Sequence, residues 1–140
     1  MPLWLIYTLL AALFAGITAV LAKYGIQEIS ADLGLVIRTA VIFVLVILNA
    51  FSWGGYKDWP NLTSKSILFL ALSGTTAALS WIYYYRAIKI GPVSEIAAID
   101  KSSILITILF SVWLLREPFT AKLALGAALI LAGMLVLVWK

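Results

Sequence analysis

The sequence predicts an all-α integral membrane protein with five transmembrane helices, and three observations predict it. Of 140 residues, 64% are apolar and 11% are charged, with a mean hydropathy of +1.11. Five apolar runs, each close to the roughly 20 residues that cross a hydrocarbon core of about 30 Å, lie between polar breaks. Five of the six tryptophans, Trp4, Trp53, Trp59, Trp113 and Trp139, stand near the ends of those runs, where an amphipathic ring prefers the headgroup layer. A soluble globule of this length needs far more polar surface. A soluble enzyme, a disordered tail and a nucleic-acid module are therefore excluded, and the lipid bilayer is the solvent.

The spans run approximately over residues 2–24, 33–53, 66–88, 93–115 and 119–139, in one transmembrane domain covering 1–140. The breaks are 27–32, 54–65 with Pro60 and Asn61, 89–92, and 116–118. Gly91-Pro92 and Glu117-Pro118 are strong stops, because proline disfavours helix in the residue before it. They predict tight helical hairpins. A cleavable signal peptide is the alternative for the first span, with Val20 and Ala22 suiting the cleavage site, but no basic segment precedes it and the run is too long. Asn61-Leu62-Thr63 matches a glycosylation triplet, a pattern common enough by chance to carry no weight.

The chain has no cysteine and no histidine, which removes disulfides, thiol catalysis, haem attachment and the usual zinc sets. No metal and no cofactor is expected. Ten basic residues against six acidic ones, a net charge of +4, form no cluster, so they are read as topology signals. An odd number of crossings puts the chain ends on opposite sides of the membrane. One side then carries Lys23, Arg86, Lys89 and Lys140, the other Lys57, Lys65, Arg116 and Lys122. That tie supplies no electrostatic reason to choose an orientation, although insertion machinery or a partner could fix one. Units of both orientations are the ingredients of an inverted-repeat transporter. The expectation is an antiparallel homodimer with ten helices.

Ionisable groups inside spans cost at least a few kcal/mol and mark functional positions by default. Arg38 lies about five residues, roughly 8 Å, into the second span. Lys101 lies about nine residues, roughly 13 Å, beyond Pro92, near mid-membrane. Asp100, Ser103, Thr107 and Ser111 share one stripe of the fourth span, opposite Ile106, Leu109 and Phe110. These groups either line a substrate cavity or pair with neighbouring helices to fix packing. In the third span, Ser73, Thr76, Ser80 and Tyr84 recur beside Trp81-Ile82-Tyr83-Tyr84-Tyr85. Trp81 and Tyr84 are candidate pocket walls, and interfacial anchoring explains the tyrosine run equally well. Gly16, with Ala12, Ala15, Ala19 and Ala22, forms a small-residue packing face. Gly126, Ile130 and Gly133 make the fifth span a dimer contact or scaffold.

Taken in order, these residues resemble a single EamA-type unit of the drug/metabolite transporter superfamily, in its short five-helix branch. The resemblance is carried by Trp81-Ile82-Tyr83-Tyr84-Tyr85-Arg86-Ala87-Ile88-Lys89-Ile90-Gly91-Pro92-Val93-Ser94, by Leu115-Arg116-Glu117-Pro118, and by Gly126 through Gly133. Many members have proline where this chain reads Asp100-Lys101, and the first span lacks the glutamate on which small multidrug exporters rely. Drug/proton antiport is thereby disfavoured.

The resemblance implies alternating-access transport of a small polar or zwitterionic, amino-acid-like metabolite in the prokaryotic inner membrane. Most members resemble two fused units, which a homodimer would replace here, with a heterodimer of paralogues as the alternative. Lys101 and Arg38 would attract a carboxylate or phosphate, Asp100 an amine, and Trp81 and Tyr84 would shape the pocket. A lipid-linked sugar flippase subunit and a non-transporting regulatory subunit are rival readings. Enzymatic chemistry is least favoured, since no nucleophile–base pair or cofactor loop is present.

Overall fold

A computed structural model describes residues 2–139. Every regular element in it is helical: α1 (Leu3–Gly25), α2 (Ala31–Ser52), a short 3₁₀ helix (Gly55–Asn61), α3 (Ser64–Ile90), α4 (Val93–Asp100), α5 (Ser103–Leu114) and α6 (Ala121–Val138). Five segments are long and apolar enough to cross a membrane, with α4 and α5 together forming the fourth, Val93–Leu114. The chain is a multi-pass integral membrane protein. Apart from the fourth span, the helix ends fall within two residues of those read from sequence.

Local chemistry sets the ends. Ser30 caps α2 by accepting from the Leu33 amide at 3.2 Å, and Thr120 caps α6 by accepting from the Leu123 amide at 3.2 Å. Such caps satisfy backbone donors that the first turn leaves unpaired. Thr63 does the same for α3, accepting from the Ser66 amide at 3.1 Å. Gly54, at φ +73°, ends α2 in the left-handed region that glycine enters without steric cost. Arg116, at φ +56°, turns the chain after α5 without that freedom, and the Leu115 and Glu117 amides both return to the Ser111 carbonyl.

The fourth span is not one helix. Sequence predicts continuous helix over 93–115, and the structure interrupts it at Lys101–Ser102. Around the break the amides of Lys101, Ser102, Ile104 and Leu105 bond three residues back rather than four, at 2.9–3.1 Å. Asp100-Lys101-Ser102-Ser103 is a run of four polar residues in an apolar span. Ser and Asp side chains compete for backbone groups and weaken the helix at that point.

The chain divides between Ile90 and Gly91 into two compact units. In the first, α3 packs along α1 and α2, and the 3₁₀ helix folds against α2, where Phe51 and Tyr56 stack at 5.8 Å. Its tight core gathers at the α1–α2 loop: Ile26, Ala31, Tyr85 and Ile88 are buried. Gly34 is required there, because a Cβ at that position would collide with the Ile26 side chain. In the second unit, α6 packs on α4. The long rows of exposed Leu, Ile, Val and Phe on the spans are what a lipid-facing surface demands.

Basic residues read as orientation signals have structural partners at the loop end. Lys23, at the end of α1, donates to the Ile88 carbonyl at 2.5 Å and the Lys89 carbonyl at 3.3 Å. Lys89, at the end of α3, donates to the Ile26 and Gln27 carbonyls at 2.6 and 2.7 Å. Arg86 pairs with Asp32 in the first turn of α2, Nε to Oδ1 at 3.1 Å and Nη2 to Oδ2 at 3.3 Å. Lys140, the fourth basic residue assigned to that side, lies outside the described residues.

Candidate functional site

The strongest site begins with Arg38. It projects from the second turn of α2, seven residues after Ala31 and so about 10 Å along the helix axis. Its guanidinium carbon lies 4.4 Å from the centre of the Trp81 ring and 5.6 Å from that of Tyr85. Trp81 and Tyr85 are four residues apart on α3, the spacing that stacks side chains on one helix face. Among the described residues Arg38 has no carboxylate partner. Cation–π contact is worth more where water is excluded, on the order of 2 kcal/mol. It holds the charge by its face, and the N–H edge of the planar group has no hydrogen-bond partner among the described residues.

That charge opens on a pocket of about 360 Å³ between α1, α2 and the end of α3. Thr18, Leu21 and Ala22 line it from α1, Ile26 and Ile29 from the loop, Gly34 and Ile37 from α2, and Tyr85 from α3. Arg38 is the one charged residue of the lining. A larger groove of about 730 Å³ lies between α2 and α3, walled by Leu35, Phe43, Ala77 and Ile82. It is almost wholly apolar, with Asp32 at its lining and Trp81 shared with the Arg38 cluster.

In the second unit, Lys101 and Asp100 face each other, Nζ to Oδ2 at 3.4 Å. Both are accessible, with side-chain exposures of 65% and 40%. The pair stands where α4 ends and α5 begins, so backbone and charge are irregular at the same point. Non-helical backbone within a span is tolerated where protein or a water-lined cavity can satisfy it. Thr107 bonds back to the Ser103 carbonyl at 3.1 Å, as Thr76 does to Ser73 at 2.9 Å. These hydroxyl protons serve their own helices, and the oxygens still have lone pairs to offer.

Residues 2–139 match the EamA-like transporter family, essentially the whole described chain. The chain belongs to that family. A Sinorhizobium protein described as an uncharacterized transporter in the cobO 3'region is 38% identical over 134 residues, which span 96% of this chain and 95% of that protein. No solved structure matches. With the family assigned and five helices fit to span a bilayer, the chain is a membrane transporter.

In this EamA-like transporter the residues singled out by sequence fall into separate groups. Arg38 and Trp81 come together within the first unit, and Asp100, Lys101, Ser103 and Thr107 cluster at the α4–α5 break of the second. Tyr84 is half-buried and one position away from the face that Trp81 presents to Arg38. The residue that sequence reading passed over is Tyr85, 4% exposed and stacked near Arg38. A usable signal is present: Trp81, Tyr85 and Ile88 follow the i, i+4, i+7 spacing of one helix face, on which Tyr85 and Ile88 are buried. Gly16, Gly126 and Gly133 have nothing within 4 Å of the place a Cβ would occupy, and Ile130 is exposed.

Proposed function

We propose that this chain is a secondary transporter of a small polar metabolite, amino-acid-like in size and carrying an acidic group, zwitterions included. It works by alternating access as an antiparallel homodimer in a prokaryotic inner membrane. The observation that carries the reading is Arg38: an intramembrane guanidinium held by two aromatic faces, lacking a carboxylate partner among the described residues, and supplying the sole charge of a pocket. Arg38 is half-buried, and an unpaired charge within an apolar span is costly; a substrate anion relieves that cost. Arg is suited to this role because its planar fork binds a carboxylate or phosphate through two parallel hydrogen bonds.

Asp100 and Lys101, with Ser103 and Thr107, form a second polar site, within the second unit. Their exposure and the broken helix beneath them favour a role in passage over one in packing, since half-helix ends near mid-membrane are the usual ion and substrate sites of transporters. The four-against-four division of basic residues favours insertion in both orientations. Gly126, Ile130 and Gly133 offer the close-approach surface for the second copy.

The test is flux in proteoliposomes loaded with mixed amino and organic acids. Wild type should exchange a radiolabelled acid, Arg38→Gln should lose at least tenfold, and Arg38→Lys should retain part of the rate. Equal flux in all three proteins would remove Arg38 from the site. Translocation of a fluorescent lipid-linked sugar with no soluble flux would instead favour the flippase reading.

A further inference from the structure

The lining of the Arg38 pocket discriminates between two kinds of acid. Apart from Arg38, it consists of aliphatic side chains, Leu21, Ala22, Ile26, Ile29 and Ile37, two glycines, and the hydroxyls of Thr18 and Tyr85. No aspartate or glutamate reaches it. The Ile26 carbonyl, an acceptor at its edge, is held by the Lys89 ammonium at 2.6 Å, and the Thr18 hydroxyl proton is donated to the Phe14 carbonyl at 2.7 Å. A carboxylate entering this pocket finds a guanidinium edge. An ammonium finds no anion, and it arrives beside a cation.

We propose that the Arg38 pocket selects a small monocarboxylate with an apolar body and no amino group, such as a branched aliphatic acid or its 2-oxo analogue, over the amino acid of the same skeleton. This rests on the transport reading above and narrows it. The carboxylate docks on the N–H edge of Arg38, whose π face Trp81 and Tyr85 occupy, and the aliphatic tail fills the space between α1 and α2. The rejected amino acid loses because its ammonium exchanges water for neutral hydroxyl acceptors only, beside a cation and with no carboxylate to balance its charge. A volume near 360 Å³ suits a short acid rather than a lipid-length chain.

The experiment is equilibrium dialysis of the purified protein in nanodiscs with radiolabelled 4-methylvalerate, competed by L-leucine, isoamylamine and palmitate. Unlabelled 4-methylvalerate should displace the label at least tenfold more effectively than leucine, and isoamylamine should not displace it. Binding should vanish in Arg38→Gln. It should also vanish in Leu21→Trp, which fills the pocket from α1 without touching the charge and so guards against a folding defect at Arg38. Leucine binding as tightly as the acid overturns this narrower assignment and leaves the transport reading standing. Displacement by palmitate alone overturns the small-acid assignment in favour of a lipid source. Acid binding that survives both substitutions overturns the pocket itself. Failure of every probe to bind or to be transported overturns both readings.

Discussion

Lys23 and Lys89 cap each other's helices. Each ammonium reaches across to the carbonyls at the end of the other's segment, Lys23 to Ile88 and Lys89, and Lys89 to Ile26 and Gln27. The last carbonyls of a helix lack intrahelical donors and carry its negative dipole end, so a cation serves both deficits at once. The exchange ties α1 to α3 where the first unit is most tightly packed. Lys23→Met or Lys89→Met should each lower stability by about 1.5–3 kcal/mol, the usual worth of hydrogen bonds to a charged group, read as an earlier unfolding midpoint in detergent. The double variant should cost less than the sum if the two caps act as one unit.

The Arg86–Asp32 pair gives the opposite expectation. Both side chains are more than half exposed, and exposed pairs contribute roughly 0–1 kcal/mol. Asp32→Asn should shift the same midpoint by less than about 1 kcal/mol, with an effect that shrinks further in high salt. A loss as large as that of the lysine variants would show the pair to be a main tie between α2 and α3.

Gly34→Ala puts a methyl group into the Ile26 side chain. Overpacking of this kind costs about 1–3 kcal/mol. In an Ile26→Ala background the same substitution should be nearly neutral, since the colliding atoms are gone. Thermal unfolding of the four proteins completes the cycle. An undiminished penalty in that background would place the strain in the α2 backbone.

Lys101→Met leaves α4 and α5 with the same helical content but deprives Asp100 of its cation. Flux should fall by tenfold or more while circular dichroism stays unchanged. Transport at the wild-type rate would reduce Asp100 and Lys101 to a packing pair.

Gly126→Leu and Gly133→Leu meet open space in the isolated chain, so monomer folding should tolerate them. If a second copy covers α6, crosslinking in membranes should drop sharply in both variants. Because the chain has no native cysteine, single cysteines at its two ends also report orientation. Each should be labelled from both sides of the membrane in one population of cells. Labelling from one side alone would refute insertion in two orientations.

Hydropathy and proline placement alone located the five spans, because crossing a bilayer is a local requirement of about 20 apolar residues and a stop before proline is a local steric effect. Arg38, Asp100 and Lys101 were legible for the same reason, as charges in segments where charge is costly. What touches them was not. The cation–π clasp joins residues 43 and 47 positions apart, and the choice of Tyr85 over its neighbours depends on which face of α3 turns toward α2. Lys23 and Lys89 are counted identically by any charge tally, yet their partners lie more than 60 residues away. The interruption at Lys101–Ser102 contradicts the continuous helix read over 93–115: the polar run weakens the helix there, and backbone hydrogen bonds closing three residues back break it. Composition determines which segments enter the membrane, whereas pairing across the chain depends on helix rotation and packing, which only the tertiary structure decides.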